Sequence, residues 1–493
     1  MREASIRLDP GEVVAPVGRR LFGSFVEHMG RCVYTGIYEP DHPTADEWGF
    51  RGDVADLVRE LGVGVVRYPG GNFVSSYRWE DGIGPAATRP QRLDLAWRSL
   101  EPNQVGTDDF VRWARRLDLE PMMAVNLGTR GVQEACDLLE YCNHPEGTAL
   151  SDLRRANGSK EPHDIRLWCL GNELDGPWQV GQKTAYEYGR LAAETAKAMR
   201  LVDPRIELVA VGSSNSQMPT FGGWEATVLE QTYPYVDYVS LHAYYEEHDG
   251  DLDSFLASAV DMDGFIEAVV ATADHVGAKL RRREKLMLSF DEWNVWYQRR
   301  FAGQRTLDWA YARPLIEDEY HVADAVVVGS LLISLLRHAD RVAVACQAQL
   351  ANVIAPIRTA PGGPAWRQTI FHPFAQAARY ARGDVLRVDT RAPRYETAKY
   401  GDVPLVTATA THDPETGEVC VLAVNRSRTE PLRLDVDLSA FGPLRTVERL
   451  VLADEDIRAT NDREAPDRVV PRRAPDAVLP PISWNVLRFA PTK

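Results

Sequence analysis

Two glutamates stand where apolar runs end. Glu173 closes the run in "IRLWCLGNE" directly after Asn172, and Glu292 closes "KLMLSFDEWN" directly after Asp291. Glycoside hydrolysis needs such a pair: one carboxyl protonates the departing oxygen, and the other attacks the anomeric carbon or activates water. Two carboxylates at close range also raise the proton affinity of one of them, which keeps a donor available near neutral pH. Either glutamate alone reads equally well as a surface ion pair or a helix cap. Asp175 is a third acid by type, and it is read as loop structure or a salt bridge.

The surroundings favour the joint reading. Other apolar runs end in Glu27-His28, in Arg67-Tyr68 followed by Pro69-Gly70-Gly71-Asn72, in Asn126, in His242-Ala243-Tyr244, and in Gln347 and Gln349. A lone polar residue at a strand end usually satisfies a loop, but a polar residue at nearly every one implies a site rich in hydrogen bonds. Trp97, Trp178, Trp293, Trp296, Tyr244, Tyr245 and Tyr297 fall in the same segments. Such rings are more often core than binding platform. Trp178 and Trp296, in loops beside the acids, are the two expected to face a sugar ring.

The elements that must carry these residues alternate. Between about residues 20 and 383, eight short apolar runs read as strands: "RLFGSFVE", "GVVRYPG", "PMMAVNL", "IRLWCLGNE", "IELVAVGSS", "VDYVSLHAY", "KLMLSFDEWN" and "RVAVACQAQ". Between them lie helical patterns such as "TDDFVRWARRLD" and "TAYEYGRLAAETAKAMRLVD". Eightfold alternation predicts a (β/α)8 TIM barrel, whose active sites form at the C-terminal ends of the strands. An open doubly wound sheet is the alternative, because periodicity does not show closure. After residue 384 the texture becomes all-β: "PLVTATATHDPETGEVCVLAVN" reads as two strands around a turn, with "PLRLDVDL" and "ISWNVLRF" alike. The expected organisation is a strand within 1–19 joining a sandwich, a barrel over 20–383, and an all-β sandwich of jelly-roll type over 384–493.

Composition narrows the classes. A formal net charge of −15 over 493 residues argues against a nucleic-acid surface. The run "VADAVVVGSLLISLL" is too short for a membrane span and carries Asp324, so a buried helix is predicted. The N-terminus lacks the basic and apolar regions of a secretory signal, which implies a cytoplasmic protein acting on imported material. The six cysteines form no C-x-x-C pair and read as free thiols, and the sequons at Asn157 and Asn425 as silent. "GVGVVR" has Arg67 in place of a third dinucleotide-loop glycine, and "GPWQVGQKT" places Gln182 between the glycine and Lys183. Strand one ends Glu27-His28-Met29 rather than His-x-His, so His28 and His242 read as hydrogen-bonding scaffold, and no metal or cofactor is expected.

The motifs "GSFVEHMGRCVYTGIY", "RYPGGNFVSSYRWEDGIGP", "VNLGTRG", "WCLGNELDGPWQVG", "SLHAYY", "SFDEWNVWY" and "AQLANVIAPI" together resemble the α-L-arabinofuranosidases of glycoside hydrolase family 51. The resemblance runs in order through the whole barrel. It implies retaining, exo-acting release of terminal α-L-arabinofuranosyl groups from arabinan or arabinoxylan oligosaccharides. It further implies Glu173 as general acid/base and Glu292 as nucleophile. Glu27, Asn72, Asn172, Tyr244 and Gln349 would hold sugar hydroxyls, Trp296 would be a subsite aromatic, and Arg67 would orient the nucleophile and keep it ionised. A homo-oligomer, a hexamer in that family, is implied as well. Family members commonly continue "SLHAYY" with Gly-Asn, whereas this chain has Glu246-Glu247-His248-Asp249, which puts leaving-group preference in question. Two other readings stay open from the residues alone: an endo-glucanase or β-xylosidase on the same barrel, and a non-catalytic carbohydrate-binding protein.

Overall fold

The computed structural model describes residues 2–492. Eight parallel strands follow one another in chain order around a closed barrel: Gly23–Phe25, Val65–Tyr68, Glu120–Ala124, Leu167–Cys169, Glu207–Ala210, Tyr238–Tyr245, Met287–Val295 and Val342–Gln347. The eighth pairs with the first, Cys346 against Gly23 and Gln347 against Ser24, which excludes the open-sheet alternative. Each strand coincides with one of the eight runs expected from the sequence, and those at Glu120, Tyr245 and Val295 extend one residue beyond it. Their C-terminal ends share one rim, so the polar residues that terminate the runs converge there.

Local chemistry sets the helices between them. In Ala185–Val202 the Thr184 hydroxyl accepts from the Glu187 backbone, and the Glu187 carboxylate accepts from the Thr184 backbone at 2.9 Å. This reciprocal cap satisfies two amides that have no partner within the helix. Tyr188, Ala192, Ala196 and Met199 then turn one buried face to the barrel, at helical spacing. The apolar run at 322–336 forms the helix Val322–Arg337, in which every residue from Val322 to Leu336 is buried. One side of it meets barrel strand seven and the other meets strands of the C-terminal sandwich. That double burial explains its lack of a polar face. The approach is close: a Cβ on Gly329 would stand 2.4 Å from the Trp484 ring. Among the described residues no helix is long and apolar enough to cross a membrane.

Beyond the barrel two sheets, of seven and four strands, enclose a second core containing Ile6, Val406, Val421, Leu432 and Leu487. The strand Arg2–Arg7 runs parallel to Leu432–Asp437, and Val13–Pro16 pairs with Asp384–Leu386. Val406–His412 and Val419–Asn425 make the hairpin expected around the Asp-Pro-Glu-Thr-Gly turn. One long strand, Leu444–Leu452, carries no strand signal in the sequence. Its residues are mostly half-buried or exposed, so it lacks the apolar alternation that marks a strand in sequence, and it is held by its ladder to Ser483–Pro491. The six cysteines are free thiols.

Candidate active site

Barrel strand seven presents Asp291 and Glu292 to the same interior, although consecutive residues of a regular strand face opposite ways. The ladder to strand eight is irregular between Phe290 and Trp293, and the ladder to strand six shifts between Ser240 and His242. Irregularities of this kind re-aim side chains beside active sites. Here both acids reach one imidazole: His242 Nε2 lies 3.0 Å from Asp291 Oδ1, and Nδ1 lies 3.5 Å from Glu292 Oε2. The same Nδ1 is 2.9 Å from Glu173 Oε1.

Glu173 follows strand four with φ at +45°, a left-handed conformation that side-chain-bearing residues seldom adopt. Backbone held in this region tends to mark a functional position. Its Oε2 accepts from the Trp178 indole at 2.7 Å. Glu292 accepts from Arg67 Nη1 at 2.7 Å and from the Tyr244 hydroxyl at 2.8 Å. Arg67 Nη2 donates to Asn172 Oδ1 at 2.7 Å, and Asn172 Nδ2 donates to Asn72 at 3.2 Å. Glu27 accepts from the Phe73 backbone at 2.9 Å, the Trp97 indole at 2.8 Å and Gln349 at 3.1 Å. Gly70 and Gly71 let the chain pass against Glu27, since a Cβ on Gly71 would sit 2.6 Å from its Oε2. Trp296 meets Tyr244 edge to face with ring centroids 5.1 Å apart.

Three buried carboxyl groups, Glu173, Asp291 and Glu292, thus surround two cations, Arg67 and His242, and Glu27 is a fourth buried acid on the same cavity. Burial alone would discharge His242, but Glu292, Asp291 and Glu173 outweigh it and push the imidazole up to about 10. Burial also raises Asp291, but Arg67 and His242 more than reverse this and hold it below the ordinary carboxylate range. Glu173 is raised, first by burial and then by the charge of Glu292, against the hydrogen bonds from His242 and Trp178. Burial lifts Glu27 to about 8 in spite of its donors. The two carboxyls at the centre are therefore set apart: Glu173 is biased toward its protonated form, while Glu292 takes two direct hydrogen bonds on its oxygens.

One oxygen each of Glu173 and Glu292 and a nitrogen of His242 lie within 4.8 Å of one another, close enough in principle to hold a metal ion. The donor set fits a cation poorly. Both His242 nitrogens face carboxylates, so the ring is an imidazolium with no lone pair for a metal.

Glu27, Asn72, Glu173, Tyr244, Glu292, Trp296 and Gln349 line a single cavity of about 600 Å3 at the barrel rim. Arg67, Asn172 and His242 lie beneath its floor. Other residues singled out in the sequence lie elsewhere. Asn126 shapes its own loop through Tyr77, Gly128 and Thr129. His28 is clasped by Glu101 and Tyr68, and Gln347 donates to Asn294. Trp293 is core, and Tyr297 is buried with its hydroxyl on Asp324. Among the described residues Asp175 has no salt-bridge partner; it ties the loop by accepting from the Ser214 backbone at 3.0 Å and from the Ser214 hydroxyl. Lys183 donates to the carbonyls of Gly128 and Gly181, a structural use far from phosphate binding.

Several parts of the wall carried no signal in the sequence. These are the loop Ser214–Gln217, the stretch containing Phe301, Gln304 and Ile316, and Lys399, which comes from a two-stranded hairpin of the C-terminal region. Trp97, Trp178, Tyr245 and His248, each marked in the sequence, also line this wall.

A closed parallel barrel whose strand ends bring two buried carboxyls together in a sugar-sized cavity defines a glycoside hydrolase site. Residues 57–262 match the family model described as "Alpha-L-arabinofuranosidase 1 domain", and residues 291–483 match "Alpha-L-arabinofuranosidase C-terminal domain". An intracellular exo-α-(1→5)-L-arabinofuranosidase of Streptomyces lividans is 61% identical, over 99% of this chain and 76% of that protein. An exo-α-(1→6)-L-arabinofuranosidase of Bifidobacterium longum is 51% identical, over 99% and 97%. Among solved structures, a family 51 α-L-arabinofuranosidase from Bifidobacterium longum superposes with a TM-score of 0.96 at 50% identity, over 99% of this chain and 100% of that one. The chain belongs to the α-L-arabinofuranosidases of glycoside hydrolase family 51.

Proposed function

We propose that the chain is an exo-acting, retaining α-L-arabinofuranosidase that releases terminal non-reducing arabinofuranosyl groups from arabinan or arabinoxylan oligosaccharides. In this reading Glu292 attacks the anomeric carbon while Glu173 gives its proton to the departing oxygen. Glu173 then deprotonates water, which frees arabinose with its configuration retained. The observation that carries this is the approach of a Glu173 oxygen to within 4.8 Å of a Glu292 oxygen. Retaining pairs stand about 5–5.5 Å apart, whereas inverting pairs leave room for water at about 6.5–9.5 Å.

The surrounding contacts support the other assignments. Arg67 fixes the nucleophile and also holds Asn172, which from beneath the floor donates to Asn72, the wall amide proposed to meet a sugar hydroxyl. Glu27, Asn72, Tyr244 and Gln349 offer hydrogen bonds on the cavity wall, and Trp296 offers an apolar face. His242 is a positioning cation that couples Glu173 to Asp291. Both acids and their motifs are present, which argues against a decayed, purely binding protein. The names of the relatives favour an intracellular arabinofuranosidase over an endo-glucanase or β-xylosidase. Their names also differ in linkage at similar identity, so overall likeness does not select one. The sandwich pairings of Arg2–Arg7 and Val13–Pro16 support treating 1–19 with 384–493 as one unit beside the barrel 20–383. A homo-oligomer, a hexamer by family resemblance, is part of the same proposal and is read by light scattering.

The test is paired mutation on an aryl α-L-arabinofuranoside and on an arabino-oligosaccharide. Glu292→Ala should abolish turnover of both, with azide restoring an inverted adduct. Glu173→Ala should slow the oligosaccharide by about 10²–10⁴-fold and spare the first step with the activated aryl leaving group. Unaltered oligosaccharide turnover in Glu173→Ala would remove the acid/base role. An inverted sugar as first product of the parent enzyme would remove the nucleophile.

A further inference from the structure

The cavity, at about 600 Å3, is larger than a single furanose requires, and its lining includes residues beyond those proposed to hold the arabinosyl unit. The wall groups proposed to hold the arabinosyl unit come from the ends of barrel strands one, two, six and eight: Glu27, Asn72, Tyr244 and Gln349. The acid, Glu173, stands after strand four. A leaving group must lie on the acid's side, since its oxygen receives the proton. The wall beyond Glu173 is formed after strands five and six by Ser216, Gln217, His248 and Asp261, and it is completed by Lys399.

Lys399 is contributed from outside the barrel. It sits in the turn between the paired strands Arg394–Thr397 and Gly401–Pro404 of the C-terminal region. That hairpin is fastened to the helix Leu252–Leu256, which follows the Glu246–Asp249 loop. The Lys399 backbone donates to Ser254 Oγ at 3.1 Å, and the Tyr395 hydroxyl donates to the Asp253 carbonyl at 3.1 Å. Only the backbone is thereby fixed. The ammonium rests 5.1 Å from the Tyr400 ring centroid, and none of the ion pairs among the described residues uses it. Lys399 also borders a smaller adjoining cavity, which shares Tyr244, Tyr245 and His248 with the first. An exposed lysine with a pinned backbone and three rotatable donors suits hydroxyl oxygens spread along a chain of sugars.

We propose that Lys399, together with Gln217, His248 and Asp261, forms a leaving-group subsite that binds hydroxyls of the second and third sugars of an oligosaccharide, so that the C-terminal region helps to select the substrate. The inference rests on the arabinofuranosidase reading above and deepens it. It also gives the departure at Glu246–Asp249 a role, because His248 of that loop lines the same two cavities as Lys399.

The experiment compares Lys399→Ala, Lys399→Arg and His248→Ala with the parent on α-1,5-linked arabinotriose and on 4-nitrophenyl α-L-arabinofuranoside, which has no second sugar. For Lys399→Ala the trisaccharide should lose about tenfold or more in kcat/KM, the scale of one hydrogen bond from a charged group, mainly through KM. The aryl substrate should lose much less, and Lys399→Arg should recover part of the difference. Equal losses on both substrates, or no selective loss on the trisaccharide, would overturn the subsite while leaving the hydrolase reading intact. Failure of the parent to cleave the aryl arabinofuranoside would overturn the hydrolase reading, and the subsite with it.

Discussion

Replacing Arg67 by methionine keeps a long apolar side chain and removes the charge that binds the floor of the site together. Arg67 is 1% exposed. It donates at 2.7 Å to Glu292 and at 2.7 Å to Asn172, and its Nε lies 3.6 Å from Asp291. Removing one partner of a buried charge set leaves the others unpaired and costs about 3–5 kcal/mol. At about 2.1 cal/mol/K of unfolding entropy per residue, a chain of 493 residues melting in one transition has ~1 kcal/mol/K. The melting temperature should therefore fall by about 3–5 °C at neutral pH. Turnover should fall by roughly 10²-fold or more, because Glu292 and Asn172 both lose their anchor.

The pH dependence identifies the cause. In the parent, Asp291 is held below its ordinary value of 3.8 because Arg67 and His242 more than offset its burial. Its stabilising contribution is complete above 3.8 and is lost as pH falls through the lower native value. In Arg67→Met, burial loses its principal opponent, and the ionised carboxylate becomes a liability that grows as pH rises above 3.8. Calorimetric melts of both proteins between pH ~4 and ~8 should show a gap that is widest near neutrality and narrows toward acid. A variant melting within about 1 °C of the parent at neutral pH, or a gap that widens toward acid, would refute the reasoning.

Trp178→Phe removes the indole donor from Glu173 Oε2 while keeping a ring. Because that bond favours the ionised acid, the basic limb of the kcat/KM–pH profile on an oligosaccharide should move to higher pH; an unmoved limb, or one moved toward acid, would show that the contact does not tune Glu173. Gly71→Ala places a methyl against the Glu27 carboxylate. Overpacking of about 1–3 kcal/mol should appear as a loss of roughly 5- to 150-fold in kcat/KM on the aryl arabinofuranoside, and near-parental kinetics would show that Glu27 can move without consequence.

The barrel was legible because each strand is a short apolar run that ends abruptly in polar residues, a pattern created by burial along the strand and chemistry at its rim. The same pattern exposed Glu27, Asn172, Glu173, His242, Tyr244, Glu292 and Gln349 as candidates. It also marked residues that lie away from the cavity. Asn126 ends a strand in the same manner, yet its side chain folds back onto Tyr77, and His28, read as scaffold, is held by Glu101 and Tyr68. Residue type at a strand end reports that a polar group must be satisfied there; it does not report whether the partner is the loop or a ligand. The far wall was invisible for a different reason. Gln217, Phe301, Gln304 and Lys399 lie on irregular segments, and their place at the cavity depends on how those segments dock. For Lys399 that docking runs through Ser254 and Asp253, contacts that no local pattern encodes.

The pair Asp291-Glu292 shows where period-two reasoning itself gives way. Read as a regular strand, one of these acids faces the barrel interior and the other faces the helices, where a bare carboxylate would be buried without a partner. The irregular ladders at Phe290–Trp293 and Ser240–His242 turn both inward, and each finds His242. The arrangement needs all of its members at once. Without Asp291 the imidazole would lose the carboxylate on Nε2; without His242, Glu173 and Glu292 would face each other with no charge between them. Arg67 closes the set from below by meeting Asp291, Glu292 and Asn172. Buried acids at this density are tolerable only because two cations are fixed among them, and fixing them requires the bulges. The strand irregularities and the protonation states of the site are thus one structural fact.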